Sequence, residues 1–60
     1  MTHYEVFLKT ADAPVPIDTD KFLCDRDTGE TRFYGRPAKN EPFEEIARFT
    51  TSNIKRIKES

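Results

Sequence analysis

The sequence predicts a mainly β fold: a small antiparallel sheet or open barrel of four to five strands, centred on a hairpin at residues 21–35. Three observations predict it. Short runs alternate side chains with a period of two, polar turns separate those runs, and aromatic residues fall on both faces of the central hairpin. A lone sheet with one wet face does not explain aromatics on both sides; an open barrel or a dimer interface does. The alternative is α+β, three strands covered by a C-terminal helix over about residues 42–58.

The first element is residues 3–9, HYEVFLK, where Tyr4, Val6 and Leu8 alternate with Glu5, Phe7 and Lys9. This is the pattern of a half-buried strand. Phe7 falls on its polar side, where it faces a second small cluster or a partner.

Residues 10–20, TADAPVPIDTD, read as a connection. Pro14 and Pro16 cannot donate to a ladder and bias their predecessors toward extended backbone. Val15 and Ile17 would suit an extended segment along a sheet edge, where proline is tolerated and discourages edge-to-edge pairing.

The hairpin follows, with Lys21–Cys24 and Glu30–Gly35 as its arms. Asp25 and Asp27 can bond their own backbone two residues on, and Gly29 can adopt the positive φ that closes such a turn. Phe22 and Cys24 share one face with Leu23 on the other; Thr31 and Phe33 alternate with Arg32 and Tyr34. Residues 36–42, RPAKNEP, form a second polar loop.

The tail, FEEIARFTTSNIKRIKES, fits two patterns. Phe43, Ile46, Ala47, Thr50, Ile54 and Ile57 match a helical stripe, with Pro42 and two glutamates at its start. Against the helix stand Thr50, Thr51, Ser52 and Asn53, four consecutive poor helix formers. Phe49 also lies off the helical stripe but on the Ala47 face of a strand. The favoured reading is strand–turn–strand.

Sixty residues allow one domain with a small core. With a single cysteine there is no internal disulfide, and with a single histidine no zinc quartet. Scaffolds of this size without such staples lean on oligomerisation, so a homodimer or a protein partner is expected. The lone cysteine and the lack of a long apolar run point to a cytoplasmic protein without membrane association. Charged and hydrophobic residues each make up 35% of the chain, and the net charge of −1 favours neither nucleic acid nor acidic surfaces. Residues 1–30 hold three Lys or Arg against seven Asp or Glu, and residues 31–60 hold seven against four. Basic strands lying beside acidic ones would account for this split.

No catalytic, cofactor or metal motif is present. Asp25 and Asp27 have the spacing that opens a calcium loop, but Gly29 stands at the third ligand position and no bidentate glutamate closes the loop. They read as turn residues. Cys24 and His3 could form a thiolate–imidazole pair, but Cys24 reads as a small core residue and His3 as a surface one. An enzyme is the least favoured class. In size and style the chain is similar to small accessory proteins of phages and other mobile elements, many of which dock on one host protein. That similarity implies a non-enzymatic interaction module that regulates or inhibits a larger protein. Phe7, Arg32, Tyr34 and Arg36 are the candidate partner-binding residues, because Tyr, Phe and Arg are enriched in interface centres. The alternative is a nucleic-acid-binding β domain. Arg32, Tyr34 and Arg36 lie at alternate positions, and Lys39, Arg48, Lys55 and Arg56 could extend a basic, aromatic face that stacks bases and meets phosphates.

Overall fold

The fold is described for residues 2–60 by a computed structural model. Six strands form: β1 (Thr2–Leu8), β2 (Val15–Thr19), β3 (Lys21–Asp25), β4 (Glu30–Gly35), β5 (Glu44–Thr50) and β6 (Ile54–Glu59). They make two antiparallel three-stranded sheets, the first in order β2-β1-β6 and the second in order β3-β4-β5. The fold is mainly β, as the sequence predicts. The strand count rises to six because Val15–Thr19, read as a connection, pairs along the edge of β1. Pro16 sits opposite Glu5 in that edge strand, the setting in which a residue without an N–H is tolerated.

The tail is strand, turn and strand, and no C-terminal helix spans it. Thr51–Asn53 form one 3-10 turn between β5 and β6. The Thr51 N–H donates to the Gly29 carbonyl (2.9 Å), which ties this turn to the central hairpin. No helix among the described residues is long and apolar enough to cross a membrane.

The hairpin turn forms by the chemistry of its sequence. The Asp25 carboxylate accepts the Asp27 N–H at 2.9 Å, the Asp25 carbonyl accepts the Gly29 N–H at 2.9 Å, and Gly29 has φ +72°. The register sets Phe22 opposite Phe33 and Leu23 opposite Arg32. Two bulges bend the ladders, one at Phe7/Leu8 against β6 and one at Phe33/Tyr34 against β5.

The inner faces of the two sheets meet in a small core. Tyr4 and Val6 of the first sheet and Phe33 of the second are buried, with Leu8, Val15, Ile17, Ala47, Phe49, Ile54 and Ile57 packed around them. Rings carry much of it: the Tyr4 and Phe33 centroids are 6.0 Å apart, and Phe49 meets Phe33 edge-on at 5.9 Å. Such pairs add about 0.5–1.5 kcal/mol each beyond simple burial. Cys24 departs from its expected place. It sits on an edge strand and is exposed, although its thiol accepts the Thr31 hydroxyl at 3.5 Å.

A single residue, Asp20, separates β2 from β3, so the chain turns from one sheet into the other there. Thr19 is fully buried at this corner. Its hydroxyl donates to the Tyr34 carbonyl, which also accepts the Asp20 N–H at 3.1 Å.

Replacing Phe33 with Ala should cost about 3–5 kcal/mol, comparable to the whole stability of so small a domain. Circular dichroism should then show a largely unfolded chain. Gly29→Ala meets no atom within 4 Å, so its cost is conformational, about 1–2 kcal/mol. Thermal melting should show that loss, with a smaller one for Gly29→Asn.

Candidate functional site

Strand alternation turns Arg32 and Tyr34 to the outer face of the second sheet, because Thr31, Phe33 and Gly35 point inward and are buried. The flanking strands supply the neighbours: Lys21 and Leu23 of β3 stand opposite Tyr34 and Arg32, and Glu45 and Arg48 of β5 stand opposite the same two residues. The face has a charged end and an aromatic end.

At the charged end, two guanidinium groups lie directly across a strand pair, which alone is unfavourable. Carboxylates offset them. Arg32 reaches Glu30 at 3.2 Å, Glu45 at 3.6 Å and Asp25 at 3.7 Å. Arg48 is held by Glu45 at 3.0 Å and Glu30 at 3.5 Å. The Arg32 Nε is buried without a hydrogen-bond partner, so its contact with Glu45 is an ion pair only. The Tyr34 hydroxyl, and after it the Glu30 carboxylate, raise the Arg32 pKa above its already high ordinary value; a hydrogen bond to Glu45 chiefly does the same for Arg48. Both groups stay cationic across the working pH range.

At the aromatic end, Phe43 leads into β5 and lies across from Lys21. The Lys21 ammonium sits 4.2 Å above its ring and the Arg36 guanidinium 4.9 Å from it. Each such cation–π contact at an exposed site is worth about 0.5–1 kcal/mol. The Arg36 N–H donates to the Asp20 carboxylate at 3.3 Å, which fixes where that side chain starts. Lys21, Phe22, Leu23, Tyr34 and Phe43 line an open groove of about 300 Å³. Leu23 is 56% exposed, Phe43 41% and Phe22 37%. A wider depression of about 520 Å³ lies at the hairpin turn, but it is lined by Cys24, Asp25, Arg26, Gly29 and neighbouring Thr and Ser side chains and holds no aromatic ring.

The residues singled out from sequence do not form one patch. Arg32, Tyr34 and Arg36 belong to the outer side of the second sheet. Phe7 lies on the outer face of the first sheet, half-buried, with the Arg56 guanidinium 4.4 Å above its ring. Of the basic residues, Arg48 is opposite Arg32, Lys39 is exposed in the loop after β4, and Lys55 and Arg56 are on β6 of the other sheet. His3 and Cys24 are also on different sheets, and His3 pairs with Asp18 at 2.8 Å. Phe43, Leu23 and Lys21 are the site residues that the sequence reading did not pick. Phe43 stood on the apolar stripe of the alternative helix, and only the β3–β4–β5 register brings it beside Lys21. Comparison of the chain with known protein families, curated proteins and solved structures finds no match.

The charge arrangement has a measurable consequence. Glu45→Gln removes a carboxylate shared by Arg32 and Arg48 and should lower the melting temperature. The difference from the parent protein should narrow as salt is raised, because exposed charges are screened. A difference independent of salt would count against the ion pairs.

Proposed function

We propose that this chain is a non-enzymatic protein-interaction module, docking on a larger protein and regulating or inhibiting it. The observation that carries the proposal is the groove of Leu23, Tyr34 and Phe43 with Lys21 and Arg36 at its rim. A chain this small exposes its large apolar side chains singly in the ordinary case; here Phe22, Leu23 and Phe43 share one depression with Tyr34, a residue type that anchors interfaces, and Arg36 reaches the Phe43 ring from beside it. Stacked on Phe43, Lys21 and Arg36 present cations already positioned, so less side-chain freedom is lost on binding. The nucleic-acid reading draws less support. Its basic residues are divided between two sheets, and Arg32 and Arg48 are occupied by Glu30 and Glu45.

The test is affinity capture of the tagged protein from its own host's lysate, with and without nuclease, beside the variants Tyr34→Ala and Phe43→Ala. One stoichiometric protein should survive nuclease with the parent chain and be lost with both variants, while their circular dichroism stays unchanged. Equal capture by both variants would remove the groove from the interface. Partners that vanish with nuclease would make nucleic acid the ligand.

A further inference from the structure

Four strands lie at sheet edges, and three of them are blunted against pairing. Pro16 interrupts β2, Lys55 and Lys58 line β6, and β5 is kinked by the bulge at Ile46. Proline, lysine and bulges are the usual devices that stop an edge from adding another strand. The fourth edge, β3, has neither proline nor bulge, and its charges stand only at its two ends, Lys21 and Asp25, with Phe22, Leu23 and Cys24 apolar between them. Its register with β4 is unbroken over all five residues, Lys21 to Asp25. Among the described residues no strand pairs with its far side, and all of it but Asp25 is exposed.

The sequence of β3, Lys-Phe-Leu-Cys-Asp, is complementary to itself when reversed. Placed antiparallel about Leu23, Lys21 stands opposite Asp25 of the partner subunit, Phe22 opposite Cys24 of the partner subunit, and the two Leu23 side chains meet on the axis. Both ends of the strand then bring opposite charges across from each other, although Lys21 also leans over Phe43 and Asp25 also neighbours Arg32, and its centre is apolar on both faces. A slip of one residue would set inward-facing side chains against outward-facing ones. A slip of two would leave Lys21 or Asp25 without its counterpart. One register therefore satisfies pleat, charge and hydrophobicity together.

We infer that a second copy of this chain occupies the β3 edge. The pairing is isologous about a two-fold axis and joins the two second sheets into one of six strands. The inference goes beyond the partner reading and stands without it, because backbone pairing at β3 does not need the Tyr34 ring. It also gives the dimer two aromatic grooves on the same side of the joined sheet.

Sedimentation equilibrium of the full chain over a wide concentration range tests it, with variants at the edge. The parent protein should approach twice its 7.0 kDa chain mass. Leu23→Asp places like charges on the axis and should shift the chain to monomer, with an unchanged circular dichroism spectrum because Leu23 is exposed. Tyr34→Ala should remain dimeric whether or not it loses its partner protein. In a Cys24→Ser background, Leu23→Cys should oxidise readily to a covalent dimer, because directly opposite residues of an antiparallel pair lie within disulfide reach. Lys21→Cys in the same background should not, since it faces Asp25. A chain that stays monomeric at every concentration overturns the inference and leaves the edge to a strand of another protein. A dimer unaffected by Leu23→Asp, or equal cross-linking by the two cysteines, also overturns it.

Discussion

The Tyr34 carbonyl accepts both the Thr19 hydroxyl and the Asp20 N–H, and much of the molecule follows from this one convergence. The chain leaves the first sheet as β2 and enters the second as β3 across a single residue. Strands that switch sheets in this way make the corners of two-sheet folds. Holding the corner against Tyr34 sets how the sheets face each other, so that Tyr4 meets Phe22 at 5.2 Å and the Tyr4, Val6 and Phe33 core closes. It also sets the first residue of β3. Lys21 therefore stands opposite Tyr34, within reach of Phe43.

The core is small, and that limit explains the surface. Tyr4, Val6 and Phe33 are the buried hydrophobic residues, and the other large apolar side chains are shared between a partly covered ring around them and the outside. Sixty residues do not enclose seven aromatic rings. Those left out are not scattered: Phe7 is covered by Arg56, and Phe43 by Lys21 and Arg36. The basic half of the chain thus does more than balance acidic strands. Glu5 does face Lys58 across β1 and β6, as charge complementarity predicts, but Arg36 and Arg56 lie against rings, and Arg48 is held most closely by Glu45 of its own half.

The parts of the fold legible in sequence were those governed by local chemistry. Asp25 and Gly29 specify the hairpin turn, the alternation of Thr31 to Gly35 specifies which side of β4 is buried, and Thr50 to Asn53 specify a turn in place of a helix. What required three dimensions was pairing between distant segments. Val15 to Thr19 look like loop because Pro16 interrupts them, and only the ladder with β1 makes them a strand. Cys24 looks like core because its neighbours are apolar, yet it lies on an edge strand and is exposed. Phe43 gained its role from a register set by the β5 bulge at Ile46, which no spacing within residues 36–49 displays. Phe7, Lys55 and Arg56 drifted from the other candidates for the same reason: nothing local assigns β1 and β6 to a different sheet from β4.

The pairing of β1 with β6 brings the Ser60 N–H to the His3 carbonyl at 2.9 Å, so the first and last strands of the chain are neighbours. During synthesis, the second sheet and its hairpin can assemble from contiguous chain as it leaves the ribosome. The first sheet cannot, because β1 must wait for β6 to be made. Tyr4 and Val6 lack the cover of β6 through that interval, and its arrival closes the longest loop in the fold.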